Sequence, residues 1–153
     1  GKVAVENFMG HPRTIDYDVI PTGIFTLPEI GRVGLTEQQA RDRCLAAEKD
    51  PQQGVRVGRF RYGGLGKAQA TGDIQGLLKV VADAESDRIL GVHILGAHAA
   101  DLVHEAALAM HLDATVSRVA EMIHAHPTLA EGLMEAMEDV HGYAIHLARK
   151  PSS

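Results

Sequence analysis

The chain has one cysteine, Cys44, in 153 residues. That excludes an internal disulfide and any two-thiol redox pair within a single copy. There is no Gly-x-Gly-x-x-Gly run and no Cys-x-x-x-x-Cys pair, so a dinucleotide has no main binding site of the usual kind here. Positive charge is in deficit, with 15 Lys and Arg against 20 Asp and Glu and a net charge of -5. Lacking a basic patch, the chain is not expected to bind nucleic acid or an anionic membrane surface. No apolar run approaches the ~20 residues that span a bilayer. No charged-then-apolar leader opens the sequence, so a cytoplasmic setting is expected. Internal repeats and low-complexity stretches are missing as well. What remains, 45% hydrophobic and 23% charged residues, is the makeup of one domain long enough to bury its own core.

Several suggestive strings carry no chemistry. Gly63-Gly64-Leu65-Gly66-Lys67 invites comparison with a phosphate loop, but Arg61 stands where the first glycine should be and Ala68 replaces the Ser/Thr. A flexible turn is expected there. His104-Glu105 is followed by Leu108, not the second histidine of a zincin. Nine histidines offer pairs, His104 with His111 or His124 with His126, but no third ligand at fixed spacing, so no metal site is expected. Cys44 falls in a helix capped by Thr36 with Gln39 as box partner, beside Ala40 and Ala47, and reads as a small packed hydrophobe rather than a reactive thiol.

The pattern along the chain predicts a helix over Lys2 to Met9, then strands at Gly23 to Thr26, Ile30 to Leu35, Val55 to Tyr62 and Ala68 to Thr71. A hairpin pairs Gly76 to Ala82 with Arg88 to Leu95 through the polar turn Asp83 to Asp87. Ala99 to Leu112 reads as a helix whose apolar surface (Leu102, Val103, Ala106, Ala107, Ala109, Met110) is too broad for one contact, which marks an interface. Val116 to His124 reads as a helix with Val119, Ala120 and Ile123 inward. A last helix carries Leu129, Leu133, Ala136, Met137 and Val140 to a stop at Gly142. Its acidic residues Glu135, Glu138 and Asp139 are expected on a solvated face. Strands first and helices last predict an α+β domain, an antiparallel sheet with helices packed on it.

Deliberate acid/base chemistry is concentrated in Ile123-His124-Ala125-His126-Pro127-Thr128-Leu129-Ala130-Glu131. Helix side chains lean toward the N-terminus, so a first-turn Glu131 can reach back to His126. A carboxylate on one ring nitrogen sets the tautomer and frees the other nitrogen to take and return a proton. The competing structural reading is complete in itself: Thr128-x-x-Glu131 is a capping box, and His126 is then an ordinary histidine. Spacing alone leaves both open.

His124 to Glu131 resembles the His-Ala-His-Pro-Thr-Leu-Ser-Glu signature of dihydrolipoamide dehydrogenases, members of the flavin-dependent pyridine nucleotide–disulfide oxidoreductases. The likeness extends through Ile15-Asp16-Tyr17, Ile20-Pro21, Phe25 to Ile30, Val33 to Glu37, Gly76 to Asp83, Ile89 to Gly96 and Glu105 to Ala109, in the family's order. Ala130 replaces the family's Ser, and Cys44 to Gly54 is longer than the usual connection. The resemblance implies that residues 1–16 are the tail of a flavin-domain helix with its linker, and that 17–153 form the interface domain. It implies a homodimer, FAD and NAD bound by other domains of the same enzyme with none on this fragment, and a lipoyl domain of a 2-oxo acid dehydrogenase complex as a partner. His126 and Glu131 are then the catalytic pair that takes a proton from a dihydrolipoyl thiol at the partner's active site. Main-chain groups of His126 and Pro127 approach the partner's flavin across a cis His126–Pro127 bond. On this reading the fragment alone is inactive.

Two alternatives stand beside it. The same domain could come from a glutathione or mercuric reductase, although glutathione reductases show a different run after His-Pro-Thr. Mercuric reductases lose the His and end in paired cysteines, whereas this chain ends Arg149-Lys150-Pro151-Ser152-Ser153. A non-catalytic dimerisation or metal-binding module would bind zinc at fixed stoichiometry, and calorimetry distinguishes it.

Overall fold

Alternating apolar residues build the centre of the sheet. A computed structural model, which describes residues 1–147, contains α1 (Lys2–Phe8), β1 (Thr22–Ile24), β2 (Glu29–Gly34), α2 (Glu37–Ala46), α3 (Pro51–Gly54), β3 (Val55–Arg61), α4 (Gly66–Thr71), β4 (Leu77–Asp83), β5 (Ile89–Gly96), α5 (Ala99–His111), α6 (Val116–Ala120) and α7 (Glu131–Val140). The five strands form one sheet in the order β1-β2-β5-β4-β3, every pair antiparallel. The expected α+β class is what the chain adopts. The closing run Arg149 to Ser153 lies outside the described residues, and with it the end of the 17–153 unit.

One face of the sheet carries the main core. Val33, Phe60, Leu78, Val80, Val92 and Ile94 meet Val103 and Ala106 of α5 and Leu133, Ala136 and Met137 of α7. A smaller cluster, Leu35, Ala40, Val55 and Val81 with Cys44 against it, seats α2 on the other face. Two irregularities distribute residues between the faces. A register shift after Val81 pairs Ala82 with Ile89 and leaves Leu90 out of the ladder, so Ile89 and Leu90 serve different clusters. Gly34 has φ 73 and redirects Leu35 to the second cluster.

The capping box at Thr36 and Gln39 forms as read, with the Thr36 hydroxyl accepting from the Gln39 N–H and the Gln39 amide oxygen accepting in return from the Thr36 N–H. The long Cys44 to Gly54 connection contains α3, opened by Asp50, which accepts from the Gln52 N–H, and by Pro51. The broad surface of α5 is largely used internally, with Val103, Ala106 and Ala109 buried and Leu102, Ala107 and Met110 packed against the core. Leu108 and Leu112 remain exposed.

Three expectations are corrected. Ala68 to Thr71 belongs to helix α4, not a strand: Leu65 and Ala68, three apart, are both buried, and Gly72 at φ 84 ends the turn. Four residues of alternation cannot outvote that spacing. The sixth helix stops at Ala120, and Ile123 is 95% exposed because His124 is the residue that turns inward. The acidic cluster is no solvated face. Glu135 is 1% exposed and accepts from the N–H groups of Ile145 and His146 and from His146 Nδ1 at 2.5 Å, while Asp139 accepts from the Arg59 N–H. Buried carboxylates persist when each oxygen is supplied with donors.

Candidate active site

The site stands at the start of α7, and two glycines bring that helix to the sheet. A Cβ on Gly58 would lie 2.0 Å from the Ala136 carbonyl, and one on Gly132 would lie 2.7 Å from a Leu78 methyl. Only glycine lets backbone and helix approach so closely. The apolar stripe of α7 then presses its first residue, Glu131, against the Glu121 to Ala130 connection. Gly66 of α4 faces the same loop, its absent side chain 3.8 Å from His126 Cε1.

Glu131 uses its two oxygens for different tasks. Oε1 meets His126 Nδ1 at 2.8 Å, and Oε2 accepts the Thr128 N–H at 2.8 Å. Dyad and capping box, which the sequence posed as competitors, are thus both served by one carboxylate. The box is only half made, however. Thr128 Oγ1 donates to the Ala125 carbonyl instead of accepting from the helix, so α7 begins at Glu131 with Ala130 as its uncapped N-cap. The His126–Pro127 bond is cis.

The electrostatics favour a charged acid and a presented base. Burial pushes the Glu131 carboxyl up, but the Thr128 amide, the His126 hydrogen bond and the nearby charge of His126 and His124 outweigh it and hold the group below its ordinary value. An ionised carboxylate only accepts, so in the neutral form of the ring Nδ1 carries the hydrogen and Nε2 has the free lone pair. The His126 side chain is 75% exposed and that of Glu131 18%: the acid is enclosed and the ring faces outward. Among the described residues, nothing in this chain hydrogen-bonds the His126 N–H or carbonyl. The arrangement can therefore accept a proton from a molecule brought to it from outside.

In the sequence Glu105 stood out only in a rejected zincin string and a family-like run, and His124 only as part of the signature and as a possible ligand; nothing paired the two. The His124 side chain is 3% exposed, with Nε2 2.8 Å from Glu105 Oε1 of α5 and Nδ1 3.0 Å from the Met122 carbonyl. Their separation along the chain left no local signal. Among the described residues no group of three His, Cys, Asp or Glu is placed to hold a metal, and no helix is long and apolar enough to cross a membrane.

Comparison with known proteins sets this geometry in a family. Residues 20–137 match the model of the pyridine nucleotide-disulphide oxidoreductase dimerisation domain. The chain is 44% identical to dihydrolipoyl dehydrogenase of Thermus scotoductus over 98% of its length and 31% of that protein's. For the Halobacterium salinarum enzyme the identity is 45%, over 95% of this chain and 29% of the relative. For the mitochondrial enzyme of Pisum sativum it is 37%, over 96% and 28%. The chain thus spans about 30% of the curated relatives it matches. The fold is shared with LpdA of Mycobacterium tuberculosis at TM-score 0.74 and 20% identity, over 88% of this chain and 28% of that one. It is shared also with the flavoprotein disulfide reductase RclA of Escherichia coli, in its Cu(II) complex, at TM-score 0.77 and 23% identity, over 90% and 30%. Sheet order, the packing of α5 and α7, and nearly full-length similarity agree, and the chain belongs to the dimerisation-domain family of pyridine nucleotide-disulphide oxidoreductases, of the dihydrolipoyl dehydrogenase-like kind.

Proposed function

We propose that this domain supplies the proton acceptor for dithiol oxidation in a homodimeric dihydrolipoyl dehydrogenase, with His126 as the base and Glu131 as its orienting acid. The observation that carries the reading is the 2.8 Å His126–Glu131 contact on an otherwise exposed ring. A thiol attacks a disulfide only as its thiolate. His126 Nε2 takes the S–H proton of the dihydrolipoyl group, and Glu131 balances the charge of the imidazolium that forms. The positive end of the α7 dipole opposes that charge, which makes the adjacent carboxylate necessary rather than incidental.

The chain's residues fit cofactors held elsewhere. It has no glycine-rich phosphate cradle, while the unbonded main chain of His126 and the exposed Pro127 offer a surface to the partner's flavin. FAD and NAD bound by the other domains supply the electron path from dithiol to nicotinamide. The dihydrolipoyl group comes from the lipoyl domain of a 2-oxo acid dehydrogenase complex, the setting of the enzyme is cytoplasmic, and residues 1–16 belong with the flavin domain. By itself the chain has Cys44 as its one thiol and so no redox pair for His126 to serve.

The test is His126→Gln in the full-length enzyme. Dihydrolipoamide oxidation should fall by about 10²–10⁴-fold, the size of a general-base contribution, with flavin content unchanged. Wild-type turnover in that variant refutes the assignment.

A further inference from the structure

The loop that carries His126 is tethered from behind by a second histidine–carboxylate pair. Met122, Ile123 and His126 are exposed, but His124 is buried and spans from its own loop to α5. Both of its ring nitrogens face acceptors. Nδ1 meets the Met122 carbonyl, which only accepts, so it must carry a hydrogen. Nε2 meets a carboxylate oxygen at 2.8 Å, so a second proton lies between His124 and Glu105. The ring is thereby fixed at both nitrogens, and neither is free to exchange protons with a substrate. Its place is two residues before the base, and on the other side of the base Thr128 and Glu131 close the loop. The His126 ring is therefore suspended between two tethers, one on α7 and one on α5.

We propose that Glu105 and His124 are positioning residues for the reaction at His126, holding its loop to α5 so that Nε2 meets the incoming thiol in a single orientation. The proposal rests on His126 being the base. A displacement of about 1 Å at the reacting atom can cost on the order of a hundredfold in rate, so a tether outside the reacting pair can matter to turnover while leaving binding alone.

The experiment uses the full-length flavoenzyme carrying Glu105→Ala, Glu105→Gln and His124→Gln, each also combined with His126→Gln. Two rates are compared, dihydrolipoamide oxidation and NADH oxidation by a one-electron acceptor, which needs no thiol deprotonation. Glu105→Ala and His124→Gln are expected to lower the dithiol kcat by about 10- to 100-fold with KM within about twofold and the acceptor rate unchanged. Glu105→Gln, which keeps an oxygen at the ring, is expected to recover most of the loss. In the His126→Gln background neither change should slow the enzyme further, because residues that act through one base are not additive. Unchanged dithiol kcat in the single variants overturns the proposal. So does a parallel loss of both rates or of bound flavin, which marks general unfolding, or full additivity with His126→Gln. Wild-type dithiol turnover in His126→Gln alone is a different failure and removes the base assignment itself.

Discussion

At the scale of single residues, the chain places carboxylates where several donors converge. Glu37 is the extreme case. Lys79 and Arg41 hydrogen-bond it, burial opposes them, and Arg59 adds its charge, with the outcome that its carboxyl is lowered to about 2 from 4.5. A depressed acid stabilises the fold above its unfolded value and loses that contribution as pH falls through its folded one. Glu37→Gln should therefore cost about 1–2 kcal/mol at neutral pH. The gap from wild type should close between pH 4.5 and about 2, as read from denaturation curves across that range. Glu131 follows the same sign. Its folded carboxyl is below the ordinary value, so Glu131→Gln should narrow its deficit from wild type as the solution is acidified below about 4.5. What the sequence made legible at this scale was the local pair: four residues lie between His126 and Glu131, and the loop turns back onto the first residue of α7. It could not expose the Glu105–His124 pair, whose members meet only because α5 and the loop pack together.

Elements show where pattern reading is strong and where it fails. Strands β2 to β5, α2 with its box, and α5 follow directly from periodicity and caps. One error is a short run, Ala68 to Thr71, whose four residues form a helix; the other two fall where a polar side chain replaces an apolar one as the anchor, with His124 inward in place of Ile123 and Glu135 buried within α7. No hydrophobic period reports such substitutions, since their partners are distant in sequence. Glu135 ties Ile145 and His146 to α7. Its replacement by Ala should cost about 1–3 kcal/mol and remove the hydrogen-exchange protection of those two amides, measurable by NMR. Gly58 tests the seating of α7. A methyl there collides with the Ala136 carbonyl and the Val140 N–H, so Gly58→Ala should lower stability by about 3 kcal/mol in urea unfolding and displace Glu131 along with its helix.

On the scale of the whole molecule, the domain is a finished fold with an unfinished surface. The first helix buries none of its residues. Deleting residues 1–16 should leave the melting temperature of the isolated domain within about 2 °C, as differential scanning calorimetry can verify, and a large drop would show that the segment belongs to this fold. In the proposed function, His126 faces outward from one chain with Glu131 enclosed behind it, and the thiols they serve belong to the other subunit. Defects in the two halves should then complement each other. A protomer bearing His126→Gln with intact thiols, mixed with a protomer that keeps His126 but lacks the thiols, forms hybrids in which one of the two reaction centres has every part it needs. Each parent homodimer should be strongly impaired, and activity regained on subunit exchange would be the signature of chemistry divided between neighbours.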